Sequence, residues 1–281
     1  MTLGDSMLGA IIGDLAGSLD EYQEFKDSLN KTINLKRRLE ILHKQDLIDD
    51  DSFYSDDTIL TIAILDAILN NKPYGVKLKE YGLKYKDKIP NNVDYFEYMF
   101  SPGFIKWCEN NEVGKSIGNG SAMRISSVGY LFNDEETVLK EAEKATIPSH
   151  NSKEAVAAAS SVALSIYLAR KGLNKEQIKE IISTKYNYKL DYDLEELRKK
   201  YLFDGTYKVV PLCIYIALSS NSFEESIRKA ISMGGDTDTN ACIVGSISEA
   251  LFGIPDKYVE KVYSKLPNDF VKLLKLGYKR I

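Results

Sequence analysis

Histidine and cysteine are scarce in this chain. Its 281 residues include two histidines, His43 and His150, and three cysteines, Cys108, Cys213 and Cys242, with no Cys-x-x-Cys pair. Neither a zinc ribbon nor a disulfide framework is suggested, and a metal site rich in nitrogen or sulfur is not expected. Long apolar runs are missing too. No 18-residue apolar span occurs, the run from Met7 to Leu19 is broken by Asp14 and three glycines, and the first six residues carry no basic cluster. A membrane span and a signal peptide are therefore not expected, and a cytoplasmic location is the default. The formal net charge is −4 and no stretch is strongly basic, which disfavours nucleic acid as a main partner. Strand-like alternation and hairpin signals are nearly absent. What is present, 44% hydrophobic and 28% charged residues, suits an ordinary globular protein with enough length for a large core. No repeat and no linker divides it, so residues 1–281 are expected to form a single all-α domain.

Helical signals cover most of the chain. Residues 7–17 are apolar nearly all round, with small residues at 9, 13 and 17 making one smooth face suited to close packing. Asp14 lies inside that run and must be paired or bind metal. Glu21 falls just past the expected helix end. Residues 23–46 read as a charged, solvated helix with flanking loops, and the charge runs at 36–40 and 195–200 as solvated faces. The run 59–69 is apolar enough for a buried helix. Ser55, Asp56 and Asp57 therefore stand at its start, where free N–H groups and the helix dipole favour negative charge. A polar helix is expected at 75–88. Residues 90–120 read as mostly loop, with Pro90, Asn91-Asn92, Ser101-Pro102-Gly103 and Gly118-Asn119-Gly120, and with dense aromatics (Tyr95, Phe96, Tyr98, Phe100, Phe104, Trp107) read as core.

Further on, Asn133 with Glu136 predicts a cap for a helix over 134–145, and 153–170 is a second buried helix. Asn174 with Gln177 caps a helix to about 186, and 187–206 looks like an exposed excursion. Val209-Val210-Pro211 opens an apolar helix, and Ser222 with Glu225 predicts a capping box for the one ending near Ser232. Gly253 and Pro255 stop the next helix, and two short amphipathic helices, near 256–265 and 267–277, finish the chain.

The chemistry concentrates in Ser232-Met233-Gly234-Gly235-Asp236-Thr237-Asp238-Thr239-Asn240. Two glycines permit a sharp bend, two carboxylates follow two apart, and an apolar run begins at once. So many oxygens at a helix entrance suit a hard cation. A calcium loop of the EF type would need Gly at its sixth position and Glu at its twelfth, where this chain has Ala241 and Ile247. A phosphotransfer aspartate is poorly matched too, because the lead-in is helical. Asp56-Asp57 alone could be mere caps. Together the two clusters, about 180 positions apart, would bring four carboxylates and two or three hydroxyls into one place. That suits two divalent ions, without which the repulsion would be costly.

This order of motifs resembles the ADP-ribosylglycohydrolases. Gly13-Asp14-Leu15-Ala16-Gly17-Ser18-Leu19-Asp20-Glu21 is similar to the N-terminal motif of that family. Ser55-Asp56-Asp57-Thr58 is similar to the first metal motif, and Gly118-Asn119-Gly120-Ser121-Ala122-Met123-Arg124 to the central loop. Ser149-His150-Asn151 resembles the Ser/Thr-His element, Gly234-Gly235-Asp236-Thr237-Asp238-Thr239 the second metal motif, and Phe252-Gly253-Ile254-Pro255 the closing Gly-Ile-Pro. The resemblance spans about residues 7–255. It implies a compact orthogonal helical domain with a dimetal cleft holding two magnesium or manganese ions. It implies metal ligands Ser55, Asp56, Asp57, Asp236, Asp238 and Thr239, and a glutamate, Glu21, that contacts metal or the catalytic water. Catalysis would rest on Glu21, Asp56, Asp57 and Asp238. Asn119, Gly120, Ser121, Met123, His150 and Gly235 would bind the ligand. Leu19-Asp20 stands where relatives often carry Pro followed by an aromatic or apolar residue.

The activity so implied is hydrolysis of the bond between ADP-ribose and an acceptor, a protein side chain or related conjugate. The alternative is a non-catalytic ADP-ribose binder or structural protein that reuses the fold, and a dimetal phosphatase is a third reading. The motifs do not state the leaving group, the preference between magnesium and manganese, or the oligomeric state. Asp14 is expected as a hydrogen-bonded strut, and Arg124 in a salt bridge to a motif carboxylate. His150 stands open between a core role and ligand contact.

Overall fold

A computed structural model describes residues 7–88, 98–110, 112–200 and 205–281. Among them the chain is all-α, with no β-strand and two isolated backbone bridges. Pro90, Asn91, Asn92, Tyr95 and Phe96, named above, lie outside the described residues. The first helices are α1 (Gly9–Leu29), α2 (Leu35–Ile41), α3 (Asp56–Leu69), α4 (Tyr74–Tyr85) and α5 (Pro102–Glu109). Then come α6 (Gly120–Met123), α7 (Ser126–Leu131), α8 (Glu135–Thr146), α9 (Lys153–Arg170) and α10 (Lys175–Tyr186). The chain ends with α11 (Leu194–Arg198), α12 (Val210–Leu218), α13 (Phe223–Ser232), α14 (Thr237–Phe252), α15 (Lys257–Lys265) and α16 (Asn268–Tyr278). No helix among the described residues is long and apolar enough to cross a membrane.

The core forms around α1 and α14, whose backbones touch. A side chain on Gly13 would overlap the Ala241 carbonyl, and a Cβ on Gly17 would lie 2.5 Å from Asp238 Cα. Gly9 and Gly245 exclude a side chain from each other in the same way. Small residues one turn apart thus give α1 the smooth face expected of it, and α14 supplies its counterpart. Buried carboxylates then complete the helix ends. Glu249 of α14 accepts from the N–H groups of Leu8 and Gly9, at 3.3 and 2.7 Å, and so caps α1. Asp14 of α1 accepts from the N–H groups of Ser55 and Thr58, at 3.0 and 3.1 Å, and from Thr58 Oγ1 at 2.5 Å. It therefore caps α3, and the expected strut role is what the structure shows.

Several boundaries differ from expectation. α1 does not stop near Gly17 but runs on to Leu29, because nothing between Ser18 and Leu29 breaks a helix, so Glu21 lies within it. Ser101-Pro102-Gly103 is a helix start rather than loop: Ser101 Oγ accepts from the Phe104 N–H at 3.3 Å and proline occupies the first turn. The cap of α8 is Asp134, not Asn133, accepting from Thr137 at 2.8 Å. Ser222 caps α13, but Glu225 reaches back to the Asn221 N–H instead of closing the box on Ser222. The charge run at 36–40 is not wholly solvated, since Arg38 is 1% exposed. Arg198, from the second run, is buried too, with Nε on Ser232 Oγ at 3.1 Å.

The helix contact yields a direct expectation. Gly13→Ala should lower stability by about 3 kcal/mol, since backbone atoms on α14 must move. Gly103→Ala, whose Cβ meets nothing within 4 Å, should change it by less than about 1 kcal/mol. Denaturant midpoints of the two variants against the parent measure the difference.

Candidate active site

The turn before α14 is built by its glycines. Gly234 and Gly235 adopt φ of 74° and 80°, which side chains would resist. Asp236 takes the N-cap position of α14 but makes no capping bond with its side chain. Its Oδ2 instead accepts from Asn119 Nδ2 at 2.7 Å. Asp238, in the first turn, accepts from the Thr239 N–H at 2.8 Å. At the head of α3, Ser55 Oγ caps the Asp57 N–H and also meets Asp57 Oδ2, both at 3.2 Å. Thr239 Oγ1 donates to the same Asp57 Oδ2 at 3.0 Å, across 182 positions of sequence. The two Asp-rich motifs are in direct contact.

α1 adds the third contribution. Ligand atoms of Glu21, Asp236 and Asp238 lie within 4.8 Å of one another, as do those of Asp14, Asp57 and Asp238. Burial raises the pKa of Glu21, Asp56, Asp57 and Asp238, and the neighbouring carboxylates raise it further. Asp57 Oδ1 and Glu21 Oε2 are buried with no hydrogen-bond partner. Asp14, by contrast, has both oxygens on the head of α3. Bare, self-repelling oxygens at Asp57 and Glu21 fit a divalent cation and are hard to explain without one.

This cluster floors a cleft of about 900 Å³. Glu21, Asp56, Asp236, Asp238 and Thr239 line it, and Ser55 and Asp57 are buried at the head of α3. Met99, Phe100, Phe104 and Trp107 line the cleft as well. Phe104 lies 5.2 Å from Phe100 and 5.4 Å from Trp107 between ring centroids. These aromatics wall the cleft rather than filling the core alone. Asn119, Gly120, Met123 and His150 also line it. Ser121 is fully buried, its hydroxyl directed at the Ala155 carbonyl at 3.5 Å. Gly235 donates to Glu24 Oε2 at 3.4 Å. Neither of these two residues borders the cleft.

Backbone pairing holds the rim. Gly114 and Ser116 donate to the carbonyls of Pro148 and Ser149, at 2.9 and 3.2 Å, while Asn119 donates to Gly205 at 3.0 Å and Tyr207 to Ile117 at 3.2 Å. The segment 114–119 is thus clamped between the His150 turn and the residues after α11. Arg124 makes no ion pair within the described residues, contrary to expectation. Its Nη2 donates to Ser149 Oγ at 2.6 Å and to the Ala145 carbonyl at 3.3 Å.

Sequence reading missed one group. Arg38 Nη2 meets Glu24 Oε2 at 2.5 Å, and Nη1 donates to the carbonyls of Arg198 and Lys200, each at 2.9 Å. The available signal was position: Arg38 stands three residues before the buried Ile41 on the same face of α2.

A model of the family described as ADP-ribosylglycohydrolase matches residues 4–279. The chain belongs to the ADP-ribosylglycohydrolase family. Among its relatives, ADP-ribosylhydrolase ARH3 of Homo sapiens is 23% identical over 316 residues, covering 88% of this chain and 84% of that protein. ADP-ribosylarginine hydrolase Tri1 of Pseudomonas putida (strain GB-1) is 26% identical over 174 residues, covering 56% of this chain and 45% of that protein. A solved structure described as an ADP-ribosylglycohydrolase-related protein complex shares the fold, with a TM-score of 0.60 at 17% identity over 81% of this chain and 82% of that one.

The raised carboxylates make the metal-free protein sensitive to pH. A group that binds its proton more tightly when folded adds stability below its unfolded pKa and loses that contribution as pH rises through the folded value. Burial lifts Asp14 to about 6, Asp56 to about 7 and Glu21 to about 8. In chelator, Tm should therefore fall by at least about 4 °C between about pH 5.5 and about pH 8.5. Magnesium or manganese should raise Tm most at the upper end. A Tm that is flat or rising over this range in chelator contradicts the expectation.

Proposed function

We propose that this protein is a hydrolase that cleaves the glycosidic bond between ADP-ribose and an acceptor, a protein side chain or related conjugate, with two divalent ions, magnesium or manganese, as cofactors. The observation that carries this reading is the bond from Thr239 Oγ1 to Asp57 Oδ2, which joins two Asp-rich helix starts at the floor of a cleft of nucleotide-sugar size. Family membership and the named activities of ARH3 and Tri1 support it. Asp56, Asp57, Asp236 and Asp238, with the hydroxyls of Ser55 and Thr239, would hold the ions. Bound there, the ions would supply Lewis acidity toward ribose hydroxyls and a lowered pKa for water.

The chain's own residues supply the rest. Glu21 Oε2, buried and unpartnered, takes the proton of the attacking water, and burial among carboxylates makes it a stronger base. Asn119 fixes the orientation of Asp236. The wall from Met99 to Trp107 excludes bulk water from an oxocarbenium-like transition state. Among the described residues only Lys115 and Arg124 bring cationic side chains to the cleft, so the anionic ligand would depend on the ions for most of its countercharge.

The test uses peptides carrying ADP-ribose on arginine and on serine, with magnesium, manganese or chelator. Chelation should abolish turnover and add-back restore it. Asp56→Asn should lower turnover at least about 100-fold, while raising metal-free stability by up to about 1 kcal/mol through relief of repulsion. Unchanged turnover in Asp56→Asn sinks the reading, and tight ADP-ribose binding with no turnover on either peptide favours a binding protein.

A further inference from the structure

His150 is linked through Ser149 to Arg124, and this chain bears on which of its ring nitrogens carries the proton. The residue is 4% exposed and lines the cleft, with its Cε1 and Nε2 edge 3.4 Å from where a Cβ on Gly120 would stand. Its Nδ1 lies 2.7 Å from Ser149 Oγ. Ser149 Oγ also lies 2.6 Å from Arg124 Nη2. A guanidinium can only donate, so Ser149 must accept from Arg124. The single hydroxyl hydrogen then has Nδ1 as its acceptor, because no other acceptor for it lies among the described residues. With Nδ1 accepting that hydrogen, no donor of the trio is left unpaired, and the proton of the neutral ring then sits on Nε2.

We propose that Arg124 and Ser149 act as positioning residues that lock His150 as a neutral imidazole with Nε2–H directed at the cleft, a permanent donor to an acceptor oxygen of the ligand rather than an acid or base. Arg124 suits the task because it is fully buried, makes no ion pair among the described residues, and places Nη2 on the Ser149 hydroxyl. Among the described residues, the charge that acts on the ring is the Arg124 cation. Arg124 reaches it through the Ser149 hydroxyl, and Lys115 stands opposite in the backbone pairing of 114–116 with 148–151. Neither favours an imidazolium, and burial with the Arg124 charge pushes the ring down to about 3. The tautomer stands on geometry alone; the ligand contact rests on the reading of the cleft as an ADP-ribose site.

Nitrogen-15 histidine spectra of the full chain, without ligand or metal, test the tautomer directly. The chain has two histidines, and His43→Gln identifies the signals of His150. The expected pattern is neutral and protonated at Nε2, unchanged from about pH 5.5 to about pH 8. Ser149→Ala should lose that pattern, Ser149→Thr should keep it, and ADP-ribose measured by calorimetry should bind Ser149→Ala about tenfold more weakly than Ser149→Thr. A wild-type ring protonated at Nδ1, or one charged at about pH 6, overturns the inference whatever the variants do. So does a Ser149→Ala spectrum identical to the parent. A correct tautomer with no ADP-ribose binding in any form would leave the relay standing and overturn the ligand half together with the proposed function.

Discussion

Backbone contact between α1 and α14 is the constraint on which the site depends. Asp14, Gly17 and Glu21 lie on one face of α1, spaced three and four apart. Gly17 sits against the backbone of Asp238, and Thr237 Oγ1 donates to the Gly17 carbonyl at 2.9 Å. With that point pinned, Asp14 falls on one side of Asp238 and Glu21 on the other. This is why Asp238 belongs to both groups of ligand atoms. Any side chain at Gly17 would separate the helices and pull the two halves apart, so packing and chemistry are the same requirement here.

The same geometry sorts the carboxylates by task. Glu249 and Asp14 are buried acids whose oxygens are taken up by helix N–H groups, and each fastens one helix to the next. Hydrogen bonds and helix dipoles offset part of the cost of burying their charge. Asp57 and Glu21 each keep a bare buried oxygen. A fold selected for stability alone would cover such atoms or replace them. Rigid caps therefore surround the cluster of Glu21, Asp57 and Asp238 and hold it in place.

How much of this was legible follows from the range of each signal. The four-residue glycine spacing on α1, the Asn174–Gln177 capping box and the bounds of α9 rest on patterns within a turn or two, and the structure has each as read. The pairing of the motifs at Asp57 and Thr239 was inferable because so many like charges at two helix starts suit a shared cation. Missed features depend on what a segment meets after folding. The continuation of α1 through Glu21 was hinted at by Leu19-Asp20 in place of proline, but the polar sequence beyond it hid the helix. Arg38 and Arg198 looked solvated because long cationic side chains usually are, and their partners, Glu24 with two backbone carbonyls for Arg38 and the Ser232 hydroxyl for Arg198, are met only after folding. The cleft role of Phe104 and Trp107 was hidden for a similar reason, since aromatic residues in a core and on a cleft wall look alike in sequence.

Arg38 shows why the excursion after α10 cannot be treated as decoration. A buried ion pair seldom repays its desolvation unless further hydrogen bonds use up its remaining atoms. Here they do: Glu24 holds Arg38 and accepts from the Gly235 N–H, while Arg38 also holds the carbonyls of Arg198 and Lys200. One end of the pair thus grips the Gly234-Gly235 turn, and the other grips the carbonyls of Arg198 and Lys200; Gly205, beyond them in sequence, accepts from the Asn119 N–H. Asn119 in turn orients Asp236. Gly234 is consequently fixed twice over, by its positive φ and because a Cβ there would overlap the Arg38 guanidinium. The glycine pair that first looked like a simple bend is the point where the ion pair, the end of α11 and the second Asp motif are made to agree.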